Sequence, residues 1–218
     1  MLETLEIETA PNPRSSVIWL HGLGADGYDF EPIVRELDLP PDAIRFVFPH
    51  APMMPVTINQ GFVMRAWYDI VATDLGRNED EAGVRSSQAA LEELVARERG
   101  RGIPTRRIVL AGFSQGGAIA LQTGLRHPER LAGIMALSTY LPIAGTLEEE
   151  AHAANRDVPI FMAHGELDPI VPIARARDSH VQLESLGYSV EWHEYRMPHS
   201  VCVEEIDHLG AWLRRIFA

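Results

Sequence analysis

The sequence predicts an α/β fold in which a mostly parallel central sheet carries helices on both faces. Two observations predict it. Short β-rich apolar runs alternate with helical patterns through most of the chain. The residues best suited to chemistry each follow one of those runs, where open parallel sheets gather their sites.

The elements follow in order. Leu5 to Thr9 alternates apolar and polar residues, as a half-exposed edge strand does. Ser16 to Leu20 is a β-rich run ended by a glycine-rich turn, and Asp29 to Leu37 reads as a short helix. Ile44 to Phe48 is a second β-rich run, closed by Pro49. Residues 50 to 80 have no clean period and read as a long irregular excursion; loops of that length in compact domains usually carry function. Glu81 to Arg101 reads as a helix with Val84, Leu91, Leu94 and Val95 inward. Arg107 to Gly112 is a buried strand, and Gln115 to Arg126 is a helix stopped near Pro128. Strands at Ala132 to Ser138 and Pro159 to His164 precede a helix from Ala174 to Leu186, closed by Gly187. Val190 to Tyr195 is the last strand. Cys202 to Phe217 is a terminal helix with Ile206, Leu209, Leu213 and Ile216 on one face. With no repeat, low-complexity tract or linker, residues 1–218 read as a single domain, long enough to bury a core without staples.

Composition narrows the function classes. The net charge of -12 argues against nucleic acid as a partner, since phosphate binding rests on Lys and Arg. It argues equally against a polybasic membrane anchor. All 19 basic residues are Arg, which removes a Lys nucleophile or Schiff base. The one cysteine, Cys202, permits no intrachain disulfide. Met1 to Ala10 lacks the basic start and apolar stretch of a signal peptide, and no run is long enough to span a bilayer. The expectation is a soluble, cytoplasmic protein.

The strongest motif is Gly112-Phe113-Ser114-Gln115-Gly116, set between the strand around Ile108 to Ala111 and a helix. This is the G-x-S-x-G elbow in the context it requires. A serine on a sharp, strained turn presents its hydroxyl above the sheet at a helix N-terminus. The glycines remove bulk that would clash, and the Gln115 backbone N–H is left to stabilise an oxyanion. A glycine-rich helix start without chemistry is the bland reading; the flanking strand and helix weigh against it.

A serine hydroxyl needs an adjacent base. In this arrangement the chain order is serine, acid, histidine. Asp168 follows the strand Pro159 to His164, and Pro169 favours it over Glu166 by enforcing a turn. His199 follows the last strand and precedes the last helix. The other histidines fit less well. His127, His152, His180 and His208 are expected at the surface, and His193 is expected to face outward from its strand. His50 precedes the serine, and His164 reads as a core or supporting residue. Asp168 would orient His199 and support its charged form.

The second oxyanion donor is expected in the loop His21-Gly22-Leu23-Gly24, through the backbone of Leu23. His21 is expected to hold that loop rather than act on substrate. Gly22-Leu23-Gly24-Ala25-Asp26-Gly27 also matches a dinucleotide-binding fingerprint, but the following strand ends in Phe46-Val47-Phe48-Pro49 without the required acid. Within the excursion, Met53, Met54, Phe62, Met64, Trp67 and Tyr68 either form an acyl pocket or merely cover the sheet edge. Met64, Trp67 and Tyr68 are the candidate pocket residues. No metal-ligand spacing and no cofactor motif is expected to operate.

At these residues the chain resembles the bacterial carboxylesterase and acyl-protein thioesterase family, also called the phospholipase/carboxylesterase family. The resemblance rests on His21-Gly22-Leu23-Gly24-Ala25-Asp26, Trp67-Tyr68-Asp69, Gly112 to Ala118, Leu137-Ser138 and His164-Gly165 with Asp168, and covers about residues 5 to 217. It implies a small, lid-poor α/β-hydrolase with triad Ser114, Asp168 and His199, oxyanion donors at Leu23 and Gln115, and no cofactor. The implied activity is hydrolysis of carboxylic esters of short to medium acyl chains. Acyl-thioesterase or lysophospholipase activity on the same triad is the alternative, and a non-catalytic binding module the remaining one. Small soluble esters are favoured as substrates over lipidated proteins, and the resemblance allows a homodimer. Pro198 departs from the residue that many relatives carry before the histidine.

Overall fold

The computed structural model describes residues 2–39, 43–71 and 79–218. In chain order the strands and helices are β1 (Thr4–Glu8), β2 (Ser15–Leu20), β3 (Ile44–Pro49), β4 (Met53–Val56), β5 (Phe62–Arg65), α1 (Glu81–Gly100), β6 (Ile108–Phe113), α2 (Gln115–Arg126), β7 (Gly133–Leu137), α3 (Leu147–Glu150), β8 (Ile160–Gly165), α4 (Ile173–Ser185), β9 (Val190–Tyr195) and α5 (Val203–Phe217). Among the described residues, seven strands form one sheet in the order β1-β3-β2-β6-β7-β8-β9. Only β1 runs antiparallel to its neighbour; every other pairing is parallel.

Strand periodicity divides the core into two layers. Ile18 and Leu20 of β2 join Leu110, Ile119, Leu91 and Leu183 on the face covered by α1, α2 and α4. Val17 and Trp19 point the other way and pack with Phe46, Phe48, Phe161 and Trp212, beneath α5. Because both faces are covered, β2, β6 and β7 read as continuous apolar runs. Helix α1 begins where the Asp80 side chain accepts the Gly83 N–H at 2.9 Å, satisfying one of the orphan donors of its first turn.

Two expectations change. Residues 29 to 37 yield only a 3-10 turn, Glu31–Arg35, with Pro32 in its first turn. The excursion from 50 to 80 is not wholly irregular: β4 and β5 form an antiparallel hairpin, Met53 opposite Arg65 and Val56 opposite Phe62. Four-residue strands give too short a pattern to recognise, and Pro55 within β4 argues against a strand. The chain reverses at Gln60 and Gly61, both at positive φ (58° and 76°). Residues 72–78 of that excursion lie outside the described residues.

The sheet's first edge is tied to α1 by charge. The Arg45 guanidinium donates to the fully buried Glu98 at 2.9 Å and to Glu8 at 3.0 Å, while Arg97 reaches Glu6 at 2.9 Å. Removing one partner of such a pair strands the other in a poorly solvated site. We expect Arg45→Ala to cost about 3 kcal/mol, and Arg45→Met combined with Glu98→Leu to cost less than the single change, both read by urea unfolding.

Candidate active site

Ser114 occupies the turn between β6 and α2 with φ 55° and ψ −121°, a conformation that L-residues rarely adopt. The surroundings impose it. The Ser114 N–H donates to the Leu137 carbonyl at 2.8 Å, and the Thr139 hydroxyl donates to the Ser114 carbonyl at 2.6 Å. Two glycines make the turn possible. A Cβ on Gly112 would overlap the Gly116 backbone, and a Cβ on Gly116 would overlap the Leu20 carbonyl at the end of β2. The first turn of α2 therefore lies directly against the loop that follows β2.

The loops after β8 and β9 are stitched together by Glu166 N–H to Tyr195 O at 2.8 Å and Leu167 N–H to Met197 O at 3.1 Å. This brings Asp168 and His199 into contact: His199 Nδ1 and Asp168 Oδ2 are 2.6 Å apart. The Asp168 side chain is fully buried and accepts the N–H groups of Ile170 and Val171 on Oδ1, at 2.8 and 2.9 Å. Burial opposes its ionisation, but hydrogen bonds from His164, His199, Val171 and Ile170 outweigh that and hold the carboxyl well below the usual carboxylate range. An anionic Asp168 fixes the proton on His199 Nδ1 and leaves Nε2 free to act as a base. Pro198 does not keep His199 from Asp168. Glu166, the alternative acid, is exposed.

His199 meets the elbow through Phe113, the residue before Ser114; the two ring centroids are 4.7 Å apart. No hydrogen bond within 3.5 Å joins the Ser114 hydroxyl to His199 among the described residues. Such contacts are often long before substrate arrives.

The two residues expected as oxyanion donors line one cavity with Ser114. Gln115 is the first residue of α2 and Leu23 lies in the loop after β2. Helix N-termini carry unpaired N–H groups and a favourable dipole for a developing anion. His21 holds the Leu23 loop: its Nδ1 lies 2.7 Å from the Gly22 carbonyl, and its Nε2 accepts the Ala51 N–H at 3.0 Å. Those partners require a neutral ring with the proton on Nδ1, and burial pushes its pKa down to about 4.

A link that the sequence did not suggest joins the two donor loops. The Gln115 side chain accepts the Trp67 N–H at 3.0 Å and donates to the Tyr68 carbonyl at 2.8 Å. The Trp67 indole then donates to the His21 carbonyl at 2.8 Å. Trp67 thus bridges α2 and the oxyanion loop. Of the three side chains expected to line a pocket, only Tyr68 does so. Trp67 is buried against His21 (ring centroids 5.3 Å apart), and Met64 sits on the hairpin beside Gly24 and Asn59. The hairpin aims Met64 at the loop rather than into the cavity.

That cavity has a volume of about 500 Å³. Its walls include Leu23, Ile70, Tyr68, Tyr140 and Val171, with Ser114 and Gln115 on its floor. Apart from these polar groups it is mostly apolar, as a chamber for a hydrocarbon chain should be. Two histidines depart from expectation: His127 is buried, and His193 stacks on Phe161 with centroids 4.9 Å apart. His164, expected as a core or supporting residue, is buried beside Asp168; its Nε2 lies 2.8 Å from the Val171 carbonyl and 3.4 Å from Asp168 Oδ2. Among the described residues, no cluster of His, Cys, Asp or Glu is placed to hold a metal ion, and no helix is long and apolar enough to cross a membrane.

His21 gives the site a pH signature. Its folded pKa of about 4 lies below the ordinary 6.5, so the unfolded chain takes up a proton that the folded one refuses. The contribution is complete above pH 6.5, falls as pH drops towards 4, and is gone below that. It amounts to about 3 kcal/mol. Urea unfolding between pH 7 and pH 4 should show this loss, and His21→Gln should flatten it over the same window.

The chain is similar to known proteins along most of its length. The model of the phospholipase/carboxylesterase family matches residues 3–216. Acyl-protein thioesterase 1 of Neurospora crassa is 42% identical over 209 residues, covering 91% of this chain and 85% of that protein. Acyl-protein thioesterase 1 of Mycosarcoma maydis is 38% identical over 234 residues, covering 99% and 98%. Among solved structures, Arabidopsis thaliana SOBER1 superposes with a TM-score of 0.89 at 29% identity, covering 94% of this chain and all of that one. Zea mays acyl-protein thioesterase 2 superposes with a TM-score of 0.87 at 26% identity over the full length of both chains. The chain belongs to the phospholipase/carboxylesterase family of α/β-hydrolases and is a serine hydrolase.

Proposed function

We propose that this enzyme is an acyl-thioesterase, with Ser114 as nucleophile, His199 as general base and acid, and Asp168 orienting His199. The observation that carries the reading is the 2.6 Å contact between His199 Nδ1 and a buried, anionic Asp168 beside the strained Ser114 turn. Ser114 attacks the acyl carbonyl as His199 Nε2 takes its proton. The oxyanion rests on the Leu23 and Gln115 N–H groups. His199 protonates the departing sulfur, and water repeats the sequence on the acyl-enzyme.

The same machinery would cleave an oxygen ester, and the sequence alone favoured that substrate. The named activity of the fungal relatives supports the thioester instead, and the apolar cavity suits the acyl chain. We place the enzyme in the cytoplasm, a reading supported by its single cysteine.

A fluorophosphonate probe should label the wild type and leave Ser114→Ala unmarked. Asp168→Asn should lower kcat by about 10⁴-fold. Matched thioester and oxygen-ester substrates decide the preference: a higher kcat/KM on the oxygen ester would restore the carboxylesterase reading. Trp67→Phe tests the bridge between the donor loops. It should reduce kcat by about 10- to 100-fold while leaving KM nearly unchanged. A raised KM with unaltered kcat would assign Trp67 to substrate binding instead.

A further inference from the structure

One wall of the Ser114 cavity is a pair of phenols. The hydroxyls of Tyr68 and Tyr140 are 2.9 Å apart and hydrogen-bonded, and both side chains are buried. They come from different parts of the chain. Tyr68 belongs to the segment clamped by Gln115, and Tyr140 follows β7. Behind Tyr140 stands Arg175 of α4, its guanidinium carbon 4.2 Å from the ring centroid. Arg175 donates to Glu79 at 3.3 Å, and Glu79 also accepts the Ile143 N–H at 2.9 Å.

A second cavity, also about 500 Å³, lies on the Arg175 side. Glu79, Ile143, Arg175, Asp178, Ser179 and Gln182 help line it. Tyr140 lines the first cavity and Arg175, stacked on it, lines the second. The Tyr140–Arg175 stack is therefore a partition between an apolar chamber beside Ser114 and a more polar one beyond.

We propose that the hydrogen-bonded Tyr68–Tyr140 pair limits the length of acyl chain the Ser114 cavity accepts, with Tyr140 setting that limit. This deepens the acyl-hydrolase reading and rests on it. A chain too long for the first chamber must displace Tyr140. That breaks a buried hydrogen bond, leaves the Tyr68 hydroxyl without its partner and unstacks Arg175. The chain end would then enter a space where Glu79, Asp178 and Gln182 share the wall with Leu141 and Ile143, which offers it less apolar contact than the first chamber. Burial pushes both phenols above their ordinary range, so both stay protonated and the pair holds across the working pH range.

The test is kcat/KM on p-nitrophenyl esters from acetate to palmitate for the wild type, Tyr140→Ala, Tyr140→Leu and Tyr140→Phe, with Ser114→Ala as the blank. Tyr140→Ala should move the optimum to longer chains and raise kcat/KM on palmitate, relative to the wild-type optimum ester, by about tenfold or more. Tyr140→Leu, closer to the original volume, should move it the same way by less and covers the case in which the alanine variant does not fold. Tyr140→Phe keeps the ring but loses the hydrogen bond to Tyr68, and should shift the optimum by less than either of the other two. Folded, Ser114-dependent alanine and leucine variants with an unshifted optimum would overturn the proposal, as would a uniform loss at every length. Hydrolysis by the wild type that Ser114→Ala does not abolish would instead overturn Ser114 as nucleophile, the reading on which the proposal rests, so the two failures are distinguishable.

Discussion

The constraint on which the rest depends is the close approach of the first turn of α2 to the end of β2. Gly116 lies so near the Leu20 carbonyl that no side chain fits between them. This approach sets Gln115 and the Leu23 loop on the same side of Ser114. It also requires the backbone to enter α2 through an unfavourable φ and ψ at Ser114. The strain is sustained by what surrounds it: the parallel ladder of β6 with β2 and β7, and the bonds that Leu137 and Thr139 make to the Ser114 backbone.

A second layer of interactions keeps that geometry from relaxing. Gln115 grips the Trp67–Tyr68 backbone with its amide, and Trp67 grips the His21 carbonyl with its indole. A buried amide satisfied at both ends is costly to displace, since each freed group would remain unsolvated. The neutral His21 adds a third tie, to Ala51. Both proposed oxyanion donors are thus anchored to one shared strap, although one begins a helix and the other lies in a loop. The acid and base depend on a different device, the stitching of the loops after β8 and β9.

Much of this was legible in the sequence because parallel strands and elbow glycines leave strong local signals. Helix α2 and strand β9 have the bounds their periodicity predicts, and the other long helices and sheet strands differ by a residue or so at their ends. Chain order, the strand ends and the turn at Pro169 together paired Asp168 with His199 among many acids and nine histidines. What was not legible depends on contacts between distant segments. The β4–β5 hairpin rests on two four-residue runs, one broken by Pro55, whose pairing no period reveals. The Gln115 clamp links positions 48 residues apart, and an amide within a glycine-rich motif gives no hint of its partner. Trp67 looked like a pocket residue because it is large and apolar, yet its indole N–H finds a carbonyl in the core. His127 is buried where the Asn155 side-chain amide donates to its carbonyl, a contact between segments 28 residues apart.

The cavity and the reactive groups are built on largely different parts of the chain. Ser114, Asp168 and His199 follow the parallel strands β6, β8 and β9, with β7 between the first two in the sheet. Ile58, Ile70, Tyr140 and Ile170 line the chamber from loops that those ladders do not hold. Substitutions among the latter can reshape what the enzyme accepts while its bond-breaking apparatus stays in place. Gln115 is the exception, since it is the proposed oxyanion donor next to Ser114 and its side chain also holds the Tyr68 carbonyl. A change at this glutamine would therefore disturb the Tyr68 wall of the chamber and the proposed donor together, whereas changes at Ile58 or Ile170 would touch the chamber alone.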